Sequence, residues 1–328
     1  MKTSAKIIQY IKVKGQITGS ELVEYLDITD RAVRKQLKAL IDSGLLTKAG
    51  KPPKVYYSIA PKADTTNDSE SNSTLIDKIS KKAINENFLY ITTVGTEQKG
   101  WEGFVYWCRE RKLELIPTAV QYIQTISRYS LYKKNGLIDG MHKMKTTFDE
   151  VALDKLFYID FYSIEIFGKT KLGQLLLFAK QSQDRMLINE IAVLIKPTVL
   201  GVIQDYQIDG VGFIPPTIKR EIQLMGQVEK MLNLDVKKIS ITKIKTPVVV
   251  PQKTLTKLED RIINAKETIS IDGTKIYNNI LLIDDAVVSG ATLNETAKKI
   301  RQKGLCKGQI IGLAITGSFS GSEVISEI

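Results

Sequence analysis

The run Ile280-Leu281-Leu282-Ile283-Asp284-Asp285-Ala286-Val287-Val288-Ser289-Gly290-Ala291-Thr292-Leu293 constrains the fold more than any other stretch of the chain. Four consecutive aliphatic residues describe a strand buried on both faces, as in a parallel sheet. Two carboxylates follow at its carboxyl end, then a loop of small residues. Leu293, Ala297 and Ile300 set a helical period that Gly304 stops. A strand, a tight loop and a helix start make an anion site, because the amides of residues 288–292 and the helix N-terminus can point at one phosphate. Gly290 lets the backbone approach closely, and Ser289 and Thr292 offer hydroxyl donors. Two acids beside such a cradle suit the hydroxyls of a ribose and a magnesium ion.

This order of residues resembles the phosphoribosyl-pyrophosphate (PRPP) motif of type I phosphoribosyltransferases: four apolar residues, two acids, and a loop ending Ser/Thr-Gly-x-Thr. The resemblance implies that Asp284 and Asp285 hold the ribose 2′ and 3′ hydroxyls, and makes them the catalytic candidates. It implies further that Ala286, Val287, Val288, Ser289, Gly290, Ala291 and Thr292 wrap the 5′-phosphate, with Mg2+ accompanying PRPP.

At 328 residues the chain is long enough for two or three domains, and its 43% hydrophobic and 25% charged content is that of a soluble globular protein. No uninterrupted apolar run approaches the ~20 residues that span a bilayer, so no membrane association is expected. The N-terminal stretch reads as an amphipathic helix interrupted by lysines and not as a signal peptide. Two distant cysteines, Cys108 and Cys306, suggest no disulfide framework, and the single His142 makes no zinc site unaided. No protein-held metal cluster is expected, and the expected location is cytoplasmic.

The net charge of +11 is uneven. Residues 1–60 hold 11 lysines and arginines against 5 acids, and so supply +6 of it. A basic excess in a small terminal segment points to a polyanion partner. Within it, Ile7, Ile8 and Ile11 share one helical face, and Leu22, Val23 and Leu26 mark a second short helix capped near Gly19 or Ser20. Thr29 is the expected N-cap of a third helix that buries Val33, Leu37, Leu40 and Ile41 and is ended by Gly44. The opposite face of that helix shows Arg31, Arg34, Lys35 and Lys38. Residues 45–47 and 54–59 then read as a β-hairpin carrying Lys48, Lys51 and Lys54. Three helices and a basic hairpin resemble the winged helix-turn-helix family over the whole of residues 1–60. The resemblance implies that the third helix enters the major groove of double-stranded DNA and that the wing lysines rest on phosphates. A reader of a palindromic site is expected to work as a homodimer.

Residues 61–74 are small, polar and charged, and read as a flexible linker. Residues 75–150 show helical stripes (Trp101, Phe104, Val105, Cys108; then Val120, Ile123, Ile126) and read as a helical connector. Lys133, Lys134, His142, Lys143 and Lys145 read as a solvated basic face.

From residue 151 to 328 the character is α/β. Residues 156–162 read as strand or helix, 172–180 as helix, and 187–195 and 198–204 as two helical pieces broken at Pro197. Residues 211–214 read as a strand closed by Pro215-Pro216, 239–250 as extended chain, 252–267 as a polar basic segment, and 308–316 as another strand. Leu224, Met225, Val228 and Leu232 form the buried stripe of a helix between them. The layout of 153–316 resembles the ComF-type group of phosphoribosyltransferases in two pieces besides the PRPP motif. One is a strand, a Pro loop and basic residues, here Phe213-Ile214-Pro215-Pro216 with Lys219 and Arg220. The other is Gln252-Lys253-Thr254-Leu255 with Arg261 and Asn264. The resemblance implies that the first loop faces pyrophosphate and that the second offers Lys253, Lys257 or Arg261 to ligand phosphates. Residues 153–180 are left as the candidate hood over an acceptor base.

The expected architecture is therefore α/β: an N-terminal winged helix-turn-helix, a helical middle segment and a C-terminal phosphoribosyltransferase-type doubly wound parallel sheet. Its domain order resembles that of the purine operon repressor group. The expected function is a DNA-binding transcriptional regulator whose second domain senses PRPP or a related phosphoribosyl ligand. The alternative is an active ComF-like phosphoribosyltransferase that transfers a 5-phosphoribosyl group and releases pyrophosphate. A third class, a DNA-uptake factor, rests on fold analogy alone.

Overall fold

A computed structural model describes residues 3–43, 45–51, 54–59, 78–244, 246–248 and 250–318. The expected linker 61–74, the expected stop at Gly44 and the side chains of Lys51 and Lys253 lie outside the described residues. The chain divides into two compact units, Met1–Leu75 and Ile76–Ile328.

The first unit runs α1 (Thr3–Lys14), β1 (Gln16–Thr18), α2 (Gly19–Leu26), α3 (Asp30–Asp42), β2 (Leu46–Lys51) and β3 (Lys54–Ile59). Thr18 caps α2 in a reciprocal box: Glu21 N donates to Thr18 Oγ1 at 3.3 Å and Thr18 N donates to Glu21 Oε2 at 2.5 Å. The cap is thus one or two residues earlier than the Gly19 or Ser20 expected from sequence. Thr29 caps α3 by accepting from Ala32 N at 3.4 Å. Ile7, Ile11, Ile17, Leu22, Val33, Leu37, Leu40 and Leu46 form the core, while Ile41, expected inside, is only partly buried against it. The hairpin β2–β3 is joined by β1, which pairs with β3 from Gln16↔Ser58 to Thr18↔Tyr56. This three-residue strand was not legible in the sequence because so short a run has no usable period. Gly50 bends the wing with φ +88, and a Cβ there would lie 2.3 Å from the Lys54 carbonyl.

In the second unit, helices α4 (Lys78–Asn87), α5 (Gly100–Glu110), α6 (Leu115–Ser130) and α7 (Met141–Thr147) are interspersed with β4 (Leu89–Ile91), β5 (Glu97–Lys99), β6 (Lys133–Lys134) and β7 (Leu137–Asp139). Then come β8 (Lys155–Phe161), β9 (Ser163–Ile164), β10 (Gly168–Lys169), α8 (Lys171–Ser182), α9 (Arg185–Asp205), β11 (Gly210–Phe213) and α10 (Leu224–Leu232). The chain continues through β12 (Lys237–Lys238), β13 (Ser240–Lys243), α11 (Leu258–Thr268), β14 (Ile269–Asp272), β15 (Ile280–Val287), α12 (Ala291–Gln302) and β16 (Ile310–Gly317).

One seven-stranded sheet has the order β12-β11-β15-β16-β8-β7-β6. Its first five strands are parallel, and β7 and β6 add an antiparallel edge. The central strands alternate between two cores. Ile280, Leu282, Ile310 and Ala314 pack with Leu293, Ala297 and Ile300 of α12 on one face. Leu281, Ile283, Ile311, Leu313 and Ile315 pack with α8, α9 and α10 on the other. This double burial is why residues 280–283 show no polar alternation.

Three expectations are corrected here. Residues 75–150 were expected to be a connector, but among the described residues β6 and β7 extend the sheet, and Phe104, Trp107, Tyr122 and Met144 share a core with β8, β15 and α12. Of the expected stripes, Val120 is exposed, and Ala119 and Tyr122 are buried instead. In the basic patch, Lys133 is paired with Asp160 at 2.7 Å and Lys143 donates to the Ser318 carbonyl at 2.7 Å. Second, of the residues 153–180 expected as a hood, Lys155–Phe161 form β8, a sheet strand beside β16. Third, residues 185–205 form one helix with Pro197 inside it. The carbonyl that Pro197 leaves without a donor is that of Val193, which is 64% exposed, so water can satisfy it. Helix α9 is long and apolar enough to cross a membrane by length and composition. Here Leu187, Ile188, Ile191, Ile195, Val199 and Val202 pack it into the core.

Candidate functional site

The chain order reverses between β11 and β15. From β11 the chain passes through α10 to β12 on one side, while β15 lies on the other. Helices α10 and α12, which follow these two strands, cover opposite faces of the sheet. A crevice must therefore open beyond the carboxyl ends of β11 and β15, which is where ligands bind in open α/β sheets. A cavity of about 250 Å³ lies there.

Its floor is the end of β15. The strand runs on through Asp284 and Asp285 to Val287, past the point where the sequence suggested it would stop. Adjacent strand residues point to opposite faces, so each acid meets a different neighbour. Asp285 Oδ2 lies 2.7 Å from Lys180 Nζ in the last turn of α8. Asp284 accepts the Asp285 N–H at 2.8 Å, and Lys243 of β13 lines the same cavity. Neither lysine was singled out from sequence. Lys180 ends a helix and Lys243 lies in an extended basic stretch, and nothing local marks either as a partner of the acids.

The loop after β15 turns at Gly290, whose φ is +86. A Cβ at this position would lie 2.4 Å from Met144 Sδ, so α7 supports the loop from behind. Ser289 Oγ accepts the Ala291 N–H at 3.3 Å. The first N–H groups of α12 have no carbonyl one turn earlier within the helix, and a helix start of this kind favours an anion. All of residues 284–292 line the cavity.

The second wall is the Pro215–Pro216 loop. Arg220 lines the cavity, and its Nη1 donates to the Lys180 carbonyl. Gln223 Nε2 donates to the Arg220 carbonyl at 3.0 Å, and Ile222 N donates to Gln183 Oε1 at 2.8 Å. Lys219, expected beside Arg220, is exposed and is not among the lining residues. The third wall holds Pro251, Gln252 and Arg261. Gln252 Nε2 donates to the Arg261 carbonyl at 2.9 Å and to Asn264 Oδ1 at 3.2 Å, and Arg261 Nε donates to the Leu255 carbonyl at 2.7 Å. Gln252, Arg261 and Asn264, named from sequence as one group, thus make a single network. Lys257 is exposed at the start of α11.

In the first unit, Arg31, Arg34, Lys35 and Lys38 are exposed on the face of α3 opposite Val33, Leu37 and Leu40. Arg34 Nη2 lies 2.8 Å from Asp30 Oδ2, an open i,i+4 pair that holds little energy against a competing phosphate. Lys48 and Lys54 are exposed on the wing.

Residues 3–52 match a family model described as an HTH domain. The match covers α1 to β2 and suggests a DNA-binding regulator. The basic face of α3 is the part of this HTH domain fitted to a polyanion. No curated protein matches the chain.

Burial, and then the neighbouring Asp285 charge, push the Asp284 carboxyl up to about 7 from an ordinary 3.8, against the pull of the Asp285 N–H, Lys180 and Lys243. Burial pulls the Lys243 ammonium below its ordinary value, and Asp284 partly restores it. The folded protein therefore keeps a proton on Asp284 that the unfolded chain has released. This contribution to stability is complete below about pH 4 and is lost as the pH rises through about 7. Melting of Asp284→Asn against wild type should show a difference in favour of the variant that grows across this window. A difference independent of pH would refute the raised value.

Proposed function

We propose that the protein is a DNA-binding transcriptional regulator whose HTH domain binds double-stranded DNA and whose second unit binds PRPP or a related phosphoribosyl ligand. The observation that carries this reading is the acid pair, loop and helix start at the reversal point of the sheet, facing two arginines across one cavity. Carboxylates accept from ribose hydroxyls, and the loop and helix amides donate to a phosphate. Arg220 and Arg261 suit the pyrophosphate end of the ligand. For the ligand to regulate, it must bind more tightly to one DNA-affinity state than to the other, and DNA must then alter ligand affinity by the same factor. A homodimer would present two HTH domains to a palindromic site.

The DNA half is tested with Arg34→Ala/Lys35→Ala and a generic duplex, followed by fluorescence anisotropy over a salt series. Two lost phosphate contacts should lower the slope of log K against log salt by about 1.8 and weaken binding at low salt. Unchanged affinity and slope would remove α3 as the DNA-facing helix. The ligand half is tested by titrating PRPP into the DNA complex. A shift in DNA affinity supports the sensor. Protein-dependent release of pyrophosphate would instead identify a transferase.

A further inference from the structure

One acid of β15 is already met by an ammonium group, and a second ammonium lines the same cavity. Lys180 Nζ is 2.7 Å from Asp285 Oδ2, with the two side chains 25% and 20% exposed. Lys180 sits in the last turn of α8, where the helix end favours a cation. Arg220 holds the carbonyl of the same residue and so helps to fix that turn. Lys243 lines the same cavity, and the second acid, Asp284, spends one oxygen on the Asp285 N–H at 2.8 Å.

The resemblance in sequence implies a magnesium ion arriving with PRPP, and this donor set does not fit one. Magnesium takes oxygen ligands in near-octahedral geometry at about 2.0–2.1 Å and keeps several waters. An ammonium paired with the same carboxylate occupies one side of it, and its charge repels such an ion. Among the described residues no three His, Cys, Asp or Glu side chains converge to hold a metal. The charge is also balanced without one: Lys180, Arg220, Lys243 and Arg261 line the cavity with Asp284 and Asp285, a surplus of two cations when both acids are ionised. That surplus matches a phosphate.

We infer that the Lys180 ammonium on Asp285 takes the place of a divalent cation at the acid pair, so that the cleft binds its phosphoribosyl ligand without metal. The inference rests on the phosphoribosyl reading proposed above. In that arrangement the carboxylates keep outward lone pairs for the ribose hydroxyls, while Lys180 holds Asp285 in place and the cations of the cavity screen the acids from the phosphates.

Isothermal titration calorimetry of the full chain with PRPP, first in EDTA and then in excess magnesium, tests this. The two affinities should agree within about threefold. Lys180→Met should weaken binding in EDTA by about tenfold or more, and magnesium should recover part of the loss because Asp285 is then open to a cation. Wild-type binding that appears only with magnesium would overturn the inference, as would Lys180→Met binding PRPP in EDTA as well as wild type does. Binding in neither condition would sink the phosphoribosyl reading itself, and the inference with it.

Discussion

Asp284→Asn/Asp285→Asn should bind PRPP at least about a hundredfold more weakly than wild type, since hydrogen bonds to charged groups are worth about 1.5–3 kcal/mol each and two are lost. The single variants should differ in character. Asp284→Asn removes a group that is already pushed towards its neutral form by burial, so part of its loss is offset by a more stable fold. Asp285→Asn strips Lys180 of its carboxylate at 2.7 Å and leaves an ammonium with little solvent around it. That variant should lose both affinity and stability. Calorimetry gives the affinity, and far-UV circular dichroism with thermal melting confirms that the sheet persists. A folded double variant with undiminished PRPP affinity would end the phosphoribosyl reading. Its DNA affinity in the absence of ligand should be unchanged, because the substituted residues belong to the second unit.

The second large effect lies in the first unit. Leu37→Ala should cost about 2–5 kcal/mol, the loss of a buried leucine in a tightly packed core. Leu37 is 2% exposed and packs, among the described residues, within a cluster of eight buried residues. A unit of this size has a total stability on the order of 5 kcal/mol, so the substitution removes most of it. Chemical denaturation followed by circular dichroism should show an early transition for the variant, accompanied by loss of duplex binding. PRPP titration should be unaffected. Leu37→Met, which conserves volume, should cost less than about 1.5 kcal/mol and keep DNA binding. If Leu37→Ala bound DNA normally and melted like wild type, the three-helix core would be misassigned. The two variants report on separate units: one should lose the ligand and keep DNA, the other the reverse.

Much of the candidate site was legible because its parts are contiguous. Residues 280–293 hold the strand, acids, loop and helix start in one short stretch, and each is specified by its neighbours. Gln252, Arg261 and Asn264 were also grouped correctly, since a single helix and the turn before it bring them together. Lys219 was misplaced beside Arg220 because one residue of loop geometry decides which side chain faces the cavity, and spacing carries no such information. The reading of residues 75–150 as a connector failed for a related reason. Their helical stripes showed that they bury a face, but not that the face belongs to the same core as β8 and α12.

The amino-acid order by itself determined the winged hairpin, the Thr29 cap, the doubly buried strand and the acid–loop–helix sequence, because these depend on propensity, periodicity and side chains within a turn or two. The tertiary structure alone decided that Lys180 meets Asp285, that Lys243 lines the same cavity, that Met144 fills the space behind Gly290, and that β6, β7 and β8 complete the sheet. It also decided that α9 continues through Pro197, where an exposed turn leaves the orphaned carbonyl to water. Each of these depends on chain segments far apart in sequence, or on which side of a helix faces solvent. Such contacts form only when the sheet assembles, and no local pattern of residues encodes them.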